Sequence, residues 1–117
     1  MAAIRHVKND RELDEELAKC RAAVVFFSGK ECVLCINFER MLRDICKSYR
    51  SICCLKANAE DVPRHVKSLG ILCVPSLVAY IGGRPVERTA GYIYAPVITG
   101  FLASVLRKAY GGVGQAT

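Results

Sequence analysis

A chain of 117 residues, 52% hydrophobic and 8% aromatic, is long enough to bury one core and too apolar to be disordered or collagen-like. The longest apolar stretches, LVAYI and FLASVL, fall well short of the ~20 residues a bilayer span needs, and the N-terminus becomes charged at once, so a cytoplasmic protein with no membrane association is expected. The net charge of +6 leaves acidic protein partners open, but no aromatics interleave with the basic residues, so nucleic acid is not an expected partner.

In chain order, DRELDEELAKC places Leu13 and Leu17 one turn apart, with acids early and Lys19 late, which predicts a short helix after Asp10. AAVVFFS is a continuous apolar, β-branched run, the pattern of a strand buried on both faces. GKECVLC then opens a long helical stretch with Phe38, Met41, Leu42, Ile45 and Cys46 on one side and Tyr49 a turn beyond. Arg40, Arg43, Lys47 and Arg50 recur at helical spacing as a basic stripe, read either as a solvated face or as attraction for an acidic partner.

SICCLKANA predicts a second buried strand, and EDVPRHVKSLG a short helix with Pro63 in its first turn and Gly70 closing it. PSLVAYI, the Gly82-Gly83 turn and PVERTAG predict a β-hairpin. A final amphipathic helix runs from Ala95, weakened at Gly100 and stopped by Gly111. Residues 1–110 form one domain and 111–117 a fraying tail. The order α-β-α-β-α-β-β-α implies an α/β protein with a central mixed sheet of about four strands and helices on both faces.

Seven cysteines are many for a cytosolic protein, and the odd number leaves at least one unpaired. A content of one Gln and three Asn hints at a hot-living source, where structural disulfides occur inside cells. Cys32 and Cys35 carry the strongest signal, although C-x-x-C serves metal sites, staples and thiol chemistry alike. Zinc needs four ligands, and only adjacent Cys53-Cys54 and two lone histidines are on offer, so no metal is expected. A 32–35 bridge closes too short a loop to staple much. A cysteine at a helix N-terminus, by contrast, faces unpaired N–H groups and the positive end of the dipole, which favour the nucleophilic thiolate. Cys32 is therefore the expected attacker and Cys35, a turn inside, the resolver. Cys20, Cys46, Cys53 and Cys54 read as small core hydrophobes, with a bridge from Cys46 to a strand cysteine left open. His6 and His65 read as surface residues.

VVFFSGKECVLC, GILCVPSLVAYIGGRPV and the glycine of TAGY, at these spacings, resemble the thioredoxin family over residues 5 to 110. The resemblance implies a thioredoxin fold and a thiol–disulfide oxidoreductase acting on protein disulfides without a bound cofactor, with electrons from a separate reductase or a small thiol. It also implies a cis Val74-Pro75 peptide packed against the cysteine pair, offering backbone to the substrate, and Gly91 leaving room for its approach. Cys73 would then lie at the edge of that surface, as an accessible thiol able to link a homodimer.

Three departures bear on the chemistry. Val33-Leu34 replaces the family's Gly-Pro, and Glu31 stands where the family has Trp and would raise the thiol pKa. Phe26 replaces the buried Asp, so Lys56, which matches that carboxylate's lysine partner, is expected either uncompensated near the dithiol or reaching to water. A non-catalytic thioredoxin-like protein-binding module is the alternative, and a glutaredoxin-like enzyme is not excluded by the residues alone.

Overall fold

The computed structural model of the protein describes residues 3–91 and 94–111. Its first element, β1 (Arg5–Val7), precedes α1 (Asp10–Lys19), β2 (Ala22–Ser28) and α2 (Val33–Cys46). They are followed by β3 (Cys53–Asn58), α3 (Pro63–Leu69), β4 (Ser76–Ile81), β5 (Arg84–Ala90) and α4 (Ala95–Tyr110). Local chemistry sets the ends. Asn9 caps α1 by accepting the Glu12 N–H, Pro63 opens α3, and Gly70 closes it in the left-handed region at φ 68°. Helix α4 runs unbroken through Gly100 and stops at Gly111. The expected tail over 112–117 lies outside the described residues.

The sheet has five strands in the order β1-β3-β2-β4-β5, one more than the sequence pattern suggests. The addition is β1, three residues too short to show an alternation, paired parallel to β3 from Arg5↔Leu55 to Val7↔Ala57. Strand β2 lies parallel to β3 and antiparallel to β4, and all seven of its residues are buried. On one face α2 and α4 cover Val24, Phe26, Cys54 and Leu77. On the other, Leu13 and Leu17 of α1, with Val62 and Val66, cover Val25, Phe27, Leu55 and Val78. Each inward strand side chain therefore meets a helix, and the C-terminal ends of the parallel strands β2 and β3 lead into neighbouring loops, Gly29 to Cys32 after one and Ala59 to Val62 after the other.

Two expectations about cysteine and histidine are corrected. Cys20 is bonded to Cys53 and Cys46 to Cys54, so these four are cross-links rather than free hydrophobes. The ends of α1 and α2 come down beside the start of β3, on opposite faces, and bring each pair within bonding reach. His65 is half-buried at the surface rather than freely exposed: its side chain is 13% exposed and its Nε2 lies 2.7 Å from Asp14 Oδ1.

Candidate functional site: the Cys32–Cys35 mouth

The buried strand β2 ends at Ser28, and the chain turns through Gly29 to Cys32, the N-cap of α2. Cys32 is half-buried and Cys35 buried, and they form a disulfide with Cα atoms 5.2 Å apart. The Cys35 backbone N–H donates to Cys32 Sγ at 3.1 Å. A reduced Cys32 sulfur would thus meet an aimed donor as well as the helix dipole, and both stabilise thiolate over thiol.

Val74-Pro75 is a cis peptide, and Val74 packs against the same core cluster as Cys32. Gly29 forms the contact between them: a Cβ there would stand 3.1 Å from Val74 Cγ2 and 3.4 Å from Cys32 Cβ. Gly91, at φ 84°, donates its N–H to the Pro75 carbonyl at 2.8 Å, so the end of β5 braces the cis-proline loop. The Ser76 hydroxyl donates to the Cys73 carbonyl at 2.7 Å and fixes the loop's other side. Around this mouth Val33, Leu34, Ile36 and Leu72 are exposed and make an apolar rim.

A cavity of about 240 Å³ lies behind the pair, lined by Cys32, Cys35, Glu39, Lys56 and Asn58 among others. Lys56 is not uncompensated and does not reach out alone to water: its ammonium donates to Glu39 Oε1 at 2.6 Å, with the two side chains 20% and 21% exposed. The position beside Lys56 on β2 is Phe26, packed at a tilt against Phe38 with ring centroids 5.0 Å apart, so the partner carboxylate arrives from α2. Burial alone would raise the Glu39 pKa, but the hydrogen bond and charge of Lys56, then those of Arg43, outweigh it and hold the carboxyl below its ordinary value.

No sequence motif singles out Glu39 or Gly29. The signal for Glu39 was present, since it follows Cys35 by four residues and so shares its helix face. Of the other expected modulators, Glu31 is exposed and does not line the cavity. Cys73 is exposed and the one free thiol among the described residues, but it borders a separate cavity of about 230 Å³ against Val78 and Arg88. In the basic stripe Arg43 pairs with Glu39 and Lys47 with Asp44.

The architecture has close counterparts among solved structures. A mutant thioredoxin of Halobacterium salinarum superposes with a TM-score of 0.80 at 19% identity, over 87% of this chain and 89% of that one. Plasmodium falciparum thioredoxin gives 0.80 at 17% identity, over 86% and 97%. In sequence, a thioredoxin of Alicyclobacillus acidocaldarius is 24% identical over 99 residues, which make up 84% of this chain and 94% of the relative. The thioredoxin family model itself matches residues 4–104, nearly the whole described domain. With a dithiol-spaced pair at a helix start on this sheet, and with that match, the chain belongs to the thioredoxin family, whose general activity is thiol–disulfide exchange.

Proposed function

We propose that the protein reduces or exchanges disulfides of other proteins by cycling Cys32 and Cys35 between dithiol and disulfide. The Cys32 thiolate attacks a substrate disulfide, and Cys35 resolves the mixed disulfide that results. The observation that carries this reading is the placement of Cys32: half-buried at the N-cap of α2, with the Cys35 N–H directed at its sulfur. Val74, Pro75 and Gly91 form the substrate rim, where an extended segment would lie along the loop backbone and over the exposed Val33, Leu34 and Leu72. No cofactor enters the cycle, and electrons come from a separate reductase or a small thiol. The protein acts in the cytoplasm, in a cell whose interior tolerates structural disulfides as hyperthermophile interiors do; the two further disulfides and the scarcity of Gln and Asn support that setting.

Reduction of insulin disulfides by dithiothreitol tests the proposal. The wild-type protein should accelerate the reaction and Cys32→Ser should fall to the uncatalysed rate. Equal rates for the two would leave the protein a binding module.

A further inference from the structure

For Cys35 to attack a mixed disulfide, its thiol must lose a proton, because only the thiolate is nucleophilic. Cys35 is buried, and a thiol of ordinary pKa ~8.5 gives up little of its proton at neutral pH, the less so without water around it. A base close at hand is needed. The titratable side chains lining the cavity behind the pair are Lys30, Glu39 and Lys56, besides the two cysteines. Of the three, a lysine ammonium has donors and no acceptor, whereas the Glu39 carboxylate can accept.

We propose that Glu39, hydrogen-bonded to Lys56 and sharing the cavity with Cys35, accepts the Cys35 proton as Cys35 resolves the mixed disulfide. This rests on the oxidoreductase reading above and adds to it a named proton acceptor. The step balances. The Cys35 S–H gives its proton to Glu39, and its sulfur electron pair forms the bond to Cys32 Sγ. The bond from Cys32 to the substrate sulfur breaks, and that sulfur leaves as a thiolate. The dithiol is oxidised by two electrons, the substrate disulfide is reduced by two, and Glu39 returns its proton to solvent or to the leaving thiolate.

The charges around the cavity fit that task. From α2, Arg43 donates to Glu39 Oε2 at 2.7 Å while Lys56, from β3, holds Oε1. Lys30, from the loop before Cys32, is occupied by Asp61 at 3.2 Å, and its N–H by Glu60 at 3.2 Å. The nearby acids are thus engaged elsewhere, and Glu39 alone shares the cavity with the sulfurs. Both of its cations hold its carboxyl below the ordinary value against the opposing effect of burial, so it is a carboxylate at neutral pH. Its lowered pKa makes the transfer uphill, so Glu39 holds the proton only until the mixed disulfide has been resolved.

Stopped-flow reaction of the reduced pair with a chromogenic aromatic disulfide separates the two steps, since one thiolate is released by Cys32 attack and a second by Cys35 resolution. All proteins in the comparison, the reference included, carry Cys73→Ser so that a third thiol does not react. Glu39→Gln keeps the shape and can still accept from Lys56. It should lower the ratio of second to first rate constants about 100-fold at pH 7, the lower range for general-base assistance, with recovery as pH rises through the thiol range. Lys56→Met should instead move the acid limb of the second step to higher pH, because Glu39 loses a cation and its carboxyl rises. A Glu39→Gln protein with an unchanged ratio, or a Lys56→Met protein with an unmoved acid limb, overturns the role of Glu39. Failure of the reference protein to release either thiolate removes the oxidoreductase reading itself.

Discussion

A methyl group on Gly29 would stand 3.1 Å from Val74 Cγ2, closer than most Cβ contacts, so either Val74 or the loop after β2 must give. Val74 precedes Pro75 of the proposed substrate rim, and displacements at such positions cost rate more readily than stability. Gly29→Ala is expected to slow insulin reduction about tenfold while costing only about 1 kcal/mol of stability, as mild overpacking does. Turbidity kinetics and denaturant unfolding of the variant measure the two effects, and full activity would mean that Val74 need not hold its place. The cysteine spacing marks Cys32 and Cys35 in the sequence itself, whereas Val74-Pro75 and Gly91 stand out only through the resemblance to the family's motifs. Gly29 and Glu39 act across space. Glu39 is tied to a residue 17 positions away, and no local pattern names that partner.

At the scale of elements, patterning gave the four α-helices and four of the five strands, β2, β3 and β4 by their apolar runs and β5 by the Gly82-Gly83 turn before it. It missed β1 because three residues cannot display a period of two. That omission matters at the sheet edges. One edge is the short β1; the other is β5, whose residues Arg84, Pro85 and Arg88 are exposed and put charge and a missing N–H where another strand would pair. Edge-to-edge association is therefore disfavoured on both sides. The loop before β4 offers a different contact, with Leu72 96% exposed beside the free Cys73. Mild oxidation is expected to give a disulfide-linked homodimer through Cys73, visible on non-reducing electrophoresis and absent in Cys73→Ser. Because neither edge supports it, the dimer should revert wholly to monomer on reduction. A dimer band that persists in the mutant rejects this assignment.

At the scale of the whole molecule, fold class and layer order could be read from the succession of elements, but the cross-links could not, since four cysteines permit three pairings. The native pairs join residues 33 and 8 positions apart. Loop closure alone makes them worth about 4 and about 2.5 kcal/mol, a large share of the stability typical of one domain. Cys53 and Cys54 are neighbours on β3, and the pleat sends one to the α1 face and the other to the α2 face. Before β3 enters the sheet neither has a face, and all three pairings compete. Afterwards the sheet stands between each sulfur and the wrong partner. Reduced protein given oxidant at the start of refolding should yield pairing isomers on peptide mapping, whereas oxidant added after the sheet has formed should yield the native pairs alone. The same isomer mixture from both schedules would show that the pleat does not sort them. The two half-cystines thus impose a chronology on maturation, in which backbone pairing has to come first and sulfur chemistry second.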